Sequence, residues 1–245
     1  MSRRHWNLPW EEFFATLKPH ERPVMPGSPS TPDHTMPWRL AYGLVGALVT
    51  MTGSLGNAAV TANQPQLAGS LGVTLAEAAW LPVIFVMTNA SMNLLLVKFR
   101  IQYGLRLFAE IVLIVFLAAA LAHLFLQDFV STLVVRAVAG VAAAGMTTLG
   151  ILYIIQAFPA QHRLKGIILG VGLSSLAIPA ARLGVTTLLD RDLWQAFYMF
   201  EVGLVLVALP AVFALKMPPA QRIKSFEPQD FITFALFAPG MALLS

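Results

Sequence analysis

Six stretches of this chain are so long and so apolar that each has to cross a bilayer or be buried on every side. They run near Trp38–Val60, Ala79–Val97, Gly104–Leu126, Phe129–Ala157, Lys165–Leu189 and Trp194–Leu215. About 20 helical residues cross a hydrocarbon core of roughly 30 Å. Inside that core a backbone must satisfy its own hydrogen bonds, which a helix does within one segment. The expected fold is therefore an all-α membrane protein, a bundle of six transmembrane helices. Composition agrees, with 57% hydrophobic and 11% charged residues, against roughly a quarter charged in soluble domains. A seventh apolar segment begins around Asp230 and is cut off at Ser245. The chain reads as the front portion of a longer protein: a tail over 1–37, partly disordered or interfacial, a six-helix bundle over 38–216, and a linker with the start of a further helix over 217–245.

Orientation follows from Lys and Arg. Thirteen of the sixteen flank the spans on one side: Arg3, Arg4, Lys18, Arg22 and Arg39, then Lys98, Arg100 and Arg106, then Arg163 and Lys165, then Lys216, Arg222 and Lys224. The loops on the other side contribute only Arg191. The positive-inside rule then places the N-terminus in the cytoplasm and returns the chain there after six crossings. The bias concerns the membrane, so no nucleic-acid partner is expected. No cleavable signal is expected over the first thirty-six residues, because no apolar core follows Arg3 and Arg4 before Pro23, Pro26, Pro29 and Pro32. Trp6, Trp10, Phe13 and Phe14 beside Glu11, Glu12 and Lys18 suit a short interfacial helix, and a mobile tail suits the same residues.

Reactive chemistry finds little support. The chain has no cysteine, which removes thiolate metal sites and cysteine nucleophiles. It contains no P-loop, no H-E-x-x-H and no G-x-S-x-G. No catalytic residue, metal ligand or cofactor is expected, and the chain reads as something other than an enzyme. The expected partners are the lipid bilayer, a small-molecule substrate and a second helix bundle.

Charges inside the spans are costly, by roughly 2.5–3.5 kcal/mol each on insertion scales. Arg136 is the only charge between Phe129 and Phe158. At 1.5 Å per residue, Arg136, Arg182 and Glu201 all fall about 10 Å below the outer surface. They form a possible polar layer, with Glu201 the candidate partner of one or both arginines; independent snorkelling of Arg182 and Glu201 is the other reading. Glu110 lies about 10 Å deeper, and pairs more simply with Arg106 one turn away. Asn57, Asn89, Asn93 and Thr147 are weaker candidates, since such groups commonly make helix–helix hydrogen bonds. His123 and His162 are read as structural. Thr74-Leu-Ala-Glu77 is a capping box that would start the second helix. Gly140, Gly145, Gly166, Gly170 and Gly172, with Pro179, are assigned to helix packing.

Several motifs resemble the major facilitator superfamily, and within it the fourteen-helix drug:proton antiporters of the EmrB/QacA type. Asn63-Gln-Pro65-Gln-Leu67 through Leu71-Gly72 to Trp80 is similar to the stretch joining that family's first two helices. Arg136-Ala-Val-Ala-Gly140 resembles its fourth-helix motif, with Ala139 where glutamine is usual. His162-Arg163-Leu-Lys165-Gly166, Trp194-Gln-Ala-Phe197 and Glu227-Pro-Gln-Asp230 fall where further family segments are expected. In the loop after the second span Gly104 and Arg106 remain, while Ile101 stands where the gating aspartate belongs. The fifth-helix antiporter motif is reduced to Gly172, Pro179 and Gly184.

The resemblance implies an alternating-access transporter, here its N-terminal half, exporting small hydrophobic or drug-like molecules against protons across a bacterial inner membrane. Arg136 would serve proton coupling or substrate recognition, with Glu201, Arg182, Glu110, Asn57, Asn89 and Thr147 as further pathway candidates. Gly104, Arg106 and Arg100 would form the gating loop. Two alternatives stay open: uptake of an organic anion, which paired arginines would suit, and a non-transporting scaffold or sensor descended from a transporter.

Overall fold

The computed structural model describes residues 9–23, 28–125, 128–184 and 194–244. All regular structure among them is helical: α1 (Trp10–Ala15), α2 (Met36–Ala62), α3 (Gln64–Leu71), α4 (Leu75–Ala78), α5 (Trp80–Tyr103), α6 (Leu105–Phe125), α7 (Phe129–Gln156), α8 (Arg163–Ser175), α9 (Ala177–Gly184), α10 (Trp194–Ala214) and α11 (Pro228–Leu244). Six spans are long and apolar enough to cross a membrane: α2, α4–α5, α6, α7, α8–α9 and α10. The all-helical six-span bundle expected from the sequence is present. Arg3, Arg4, Trp6, Pro26 and Arg191, and the expected end of the fifth span at Leu189, lie outside the described residues.

Local chemistry sets the ends of these helices. Thr74 Oγ1 accepts from the Glu77 N–H at 3.2 Å, and Glu77 Oε2 accepts from the Thr74 N–H at 2.8 Å, so the capping box forms. The segment between the first two spans is itself helical, with Pro65 in the first turn of α3. Gly72 ends α3 at φ +67°, a left-handed conformation that glycine adopts without strain. Asp128 caps α7 by accepting from the Ser131 N–H at 2.9 Å. The fifth span is broken where a single helix was expected. Pro179 lacks the N–H that would bond the Ser175 carbonyl, and its ring crowds that carbonyl; α8 accordingly stops at Ser175 and α9 starts at Ala177.

The bundle is built around α7, which packs against α2, α5, α6 and α8. Small residues let the backbones meet. A Cβ added at Gly150 would lie 2.8 Å from the Gly46 carbonyl oxygen and 2.9 Å from the Thr50 nitrogen, both on α2. At Gly140 it would run into Thr88 and the Phe85 carbonyl of α5, and at Gly145 into Val112 of α6. Gly166 and Gly170 of α8 sit against Ile155 and Ile151 of α7. Gly172 has no neighbour within 4 Å of such a Cβ.

The described part of the tail is folded against one end of this bundle. Phe13 and Leu17 are buried in the core. Gln156, the last residue of α7, donates to the Ser30 carbonyl at 2.8 Å, and Arg163 Nε donates to Thr31 Oγ1 at 2.8 Å. Glu21 is buried and its carboxylate accepts the N–H groups of Lys18 and Asp33. After α10 the chain crosses the same end, where Tyr42 donates to the Lys216 carbonyl at 2.9 Å and Tyr153 to that of Leu215 at 2.8 Å. It then lays α11 along α5, with Phe226 between Phe99 and Phe231.

Candidate transport site

Arg136 lies on the buried face of α7 and is 2% exposed. Its guanidinium donates from Nη2 to Asn57 Oδ1 of α2 at 2.5 Å. Its Cζ stands 4.5 Å from the centre of the Phe85 ring of α5. A cation over an aromatic face is attracted to the ring's negative quadrupole, and the attraction grows when the cation is desolvated. Three helices thus share the cost of the charge.

α10 supplies the opposite charge. Its buried side chains recur at Phe197, Glu201, Val205, Ala208 and Val212, a helical stripe that carries Glu201 inward. Glu201 is 6% exposed, and its carboxyl presses on Gly56 of α2, where a Cβ would come within 3.1 Å of the carboxyl carbon. The absent side chain at Gly56 makes the room. Glu201 and Arg136 attract through space without a close ion pair; Asn57 takes the direct hydrogen bond. Tyr198, one turn before Glu201, stacks on His123 of α6 with centroids 4.7 Å apart and planes at 6°.

Beside this layer lies an open cleft of about 230 Å³ between α2, α5, α7 and the α8–α9 span. Asn57, Asn89, Thr147, Ser54, Thr61 and Ser174 give it hydroxyl and amide groups, and Phe85, Val86 and Ile178 give it apolar wall; among the described residues no charged side chain lines it. Asn57 therefore touches both Arg136 and the cleft. Asn89 also ties α5 to α7 by donating to the Gly140 carbonyl at 3.2 Å, and Thr147 donates to the Ala143 carbonyl on its own helix.

The other expected residues lie elsewhere. α9 buries Ala177 and Ala181, four residues apart on one face. Arg182 is one residue, about 100°, round from that face, and is exposed outside the layer. Glu110 is half-buried at the tail end, on a cavity of about 90 Å³ shared with Arg106 and Lys216, and is electrostatically coupled to Arg106. In the α5–α6 loop Gly104 has φ +81°, and a Cβ there would also meet Arg222 Nε at 2.9 Å. That loop is stitched to the segment after α10. The Ile101 carbonyl accepts from the Ile223 N–H at 3.0 Å, Gln102 Oε1 from Phe226, and Met217 O from Arg106 Nε at 3.1 Å. Lys98 reaches Asp230 at 2.5 Å. Arg100 is half-buried, with Nε making no hydrogen bond among the described residues. Pro179 breaks the fifth span and is exposed.

A family model described as Major Facilitator Superfamily matches residues 44–244, most of the chain and all but the start of its bundle. The chain belongs to the Major Facilitator Superfamily. It is thus a multi-pass integral membrane protein of the bilayer and a secondary transporter in the general sense. No curated protein matches it. In this transporter Phe85 and Tyr198 join the polar layer although sequence reasoning did not select them, and His123, read from the sequence as structural, stacks there on Tyr198. The available signal was the spacing of Tyr198 and Glu201, which three residues place on one helical face.

Proposed function

We propose that this chain forms the first bundle of a proton-coupled exporter of small, uncharged or weakly polar hydrophobic molecules, of the fourteen-helix antiporter type. The observation that carries the proposal is Asn57, which joins the buried Arg136 to an open, mostly apolar cleft. A change of charge in the layer would act on the cleft through that one amide. Glu201 is the carboxylate whose protonation would remove the through-space attraction on Arg136 and so alter how it holds Asn57. The cleft suits a drug-like molecule better than an organic anion, because no arginine lines it among the described residues. Its open side and the exposed α8–α9 face give a second bundle somewhere to close, the arrangement alternating access needs. In this reading the tail is cytoplasmic, the membrane is a bacterial inner membrane, and Gly104, Arg106 and Arg100 belong to the gating loop. One six-helix bundle of this kind would need a second bundle to alternate against.

The test is dye efflux from energised vesicles holding the transporter with its partner bundle. The expected result is efflux that stops when the proton gradient is collapsed. Arg136→Ala abolishes it, and Arg136→Lys retains part if only charge is needed. Efflux that continues unchanged without a proton gradient would sink the proton-coupled reading.

A further inference from the structure

The two asparagines of the cleft are held in opposite senses. A guanidinium can only donate, so the Asn57 atom that meets Arg136 Nη2 is Oδ1. A backbone carbonyl can only accept, so the Asn89 atom that meets the Gly140 oxygen is Nδ2. Among the described residues Asn57 Nδ2 makes no hydrogen bond and Asn89 Oδ1 receives none. What each amide has left to offer is therefore fixed: a donor from α2 and an acceptor from α5. Their attachment points on α7, Arg136 and Gly140, are one helical turn or about 6 Å apart, and both amides line the same cleft. The Arg136 charge also polarises the Asn57 amide through Oδ1 and strengthens its N–H groups as donors, as linked hydrogen bonds do. The hydroxyls around them are mostly spent as donors within their own helices. Thr147 donates to the Ala143 carbonyl, Thr61 to that of Asn57 at 2.8 Å, and Ser174 to that of Gly170 at 3.4 Å. Ser54 alone among the described lining hydroxyls makes no such bond. The wall is thus rich in acceptors, with Asn57 as its fixed donor.

We propose that this cleft selects apolar molecules carrying a neutral carboxamide-type group, a carbonyl beside an N–H, with Asn57 donating to the carbonyl and Asn89 accepting the N–H. One amide with a hydrogen bond of about 2.9 Å on each side reaches between side chains anchored a helical turn apart. Phe85, Val86 and Ile178 take up the apolar body. An ester of the same shape has the carbonyl but no N–H, so it leaves Asn89 Oδ1 unfilled. A carboxylate brings only acceptors to a wall that is already rich in them. The inference rests on the exporter reading above and names the chemical class of its substrate.

Equilibrium dialysis against nanodiscs holding the transporter with its partner bundle, with binding to empty nanodiscs subtracted, tests this directly. The probes are naphthalene carboxamide and the methyl ester of the same acid, which share the apolar body and the carbonyl and differ in the N–H. Wild type is expected to bind the carboxamide roughly tenfold tighter or more, because a site built around a hydrogen bond rejects the analogue that lacks it. Asn89→Leu removes the acceptor and is expected to bring the ratio of the two affinities to about one. Asn57→Asp keeps an oxygen for Arg136 and replaces the donor by an acceptor; it is expected to weaken carboxamide binding roughly tenfold. Equal affinities in wild type, no saturable binding of the carboxamide, or a ratio that survives Asn89→Leu overturns the proposal. Should Asn89→Leu not fold, Asn89→Ala removes the same acceptor without adding bulk and carries the same ratio. Efflux from energised vesicles is read separately. Selective carboxamide binding together with efflux that ignores the proton gradient removes the exporter reading and leaves the amide site standing. Proton-driven dye efflux with equal binding of the two probes does the reverse.

Discussion

α7 and the α8–α9 span look alike as strings of residues. Each is apolar, each is rich in glycine, and each carries one deep arginine, Arg136 in the first and Arg182 in the second. In the bundle they part. Within their most apolar stretches, 72% of α7 is buried and 22% of the α8–α9 span is. Gly140 and Gly150 of α7 are seats for other backbones and Gly145 for a valine side chain, whereas in α8 Gly166 and Gly170 sit against α7 and Gly172 meets nothing. Arg136 is enclosed by Asn57 and Phe85, and Arg182 is exposed. The lesson is that small residues and a buried-looking charge do not by themselves define a site. A charge becomes part of one when its helix is enclosed by others, and α7 has four neighbours where α9 leans mainly on α2.

The sharpest way to break this contrast is to delete the two arginines in turn. Arg136→Ala takes the donor from Asn57 Oδ1 and the facing charge from the buried Glu201, and is expected to cost roughly 1–3 kcal/mol of stability, the range for stranding a buried polar group. Arg182→Ala, at an exposed position, should cost less, within about 1 kcal/mol. Equal losses in chemical denaturation of the two variants in detergent would mean that Arg182 is as enclosed as Arg136. The glycines come next. Gly150→Val drives a side chain into the α2 backbone and should destabilise by about 1–3 kcal/mol. Gly172→Ala meets open space and should stabilise by up to about 1 kcal/mol through helix propensity. Melting temperatures that move the same way in both variants would contradict the packing described here.

The smallest effect concerns how α7 begins. α8 starts without a side-chain cap, while α7 has Asp128. The Ser131 hydroxyl and backbone N–H hold the Asp128 carboxyl below its ordinary value of 3.8. Because the folded value is depressed, this stabilisation is present above pH 3.8 and disappears as pH falls through the folded value. A melting temperature that drops slightly more below pH 4 in wild type than in Asp128→Ala is the expected signature; identical acid profiles would show that the cap contributes nothing.

Much of this architecture was legible before any coordinates. Six spans could be counted because uninterrupted apolar length is a local property, and the Thr74–Glu77 capping box because its partners are three residues apart. Arg136 stood out because a lone charge in hydrocarbon needs a reason. The break in the fifth span was present in the sequence as Pro179, but a proline can kink, end or merely decorate a membrane helix. The burial of Glu201 was harder to see. In a soluble helix the apolar face would have revealed the phase of α10, but a membrane helix is apolar all round, and Glu201 could face lipid, partner or cleft equally well. Phe85 was hidden for the same reason: nothing local distinguishes an aromatic ring under a guanidinium from one in the core.

The sequence by itself therefore determined the solvent, the number of crossings, the helix caps and the few charges that had to be accommodated. These depend on length, composition and residues within a turn or two of one another. Only the tertiary structure decided which charges meet. Arg136 reaches Asn57 across 79 positions of sequence, and Glu201 finds room because Gly56, far from it in the chain, lacks a side chain. The rotation of each helix about its own axis sets those meetings. That rotation is fixed by backbone contact at glycines such as Gly140 and Gly150, and an all-apolar segment carries no record of it until its neighbours are in place.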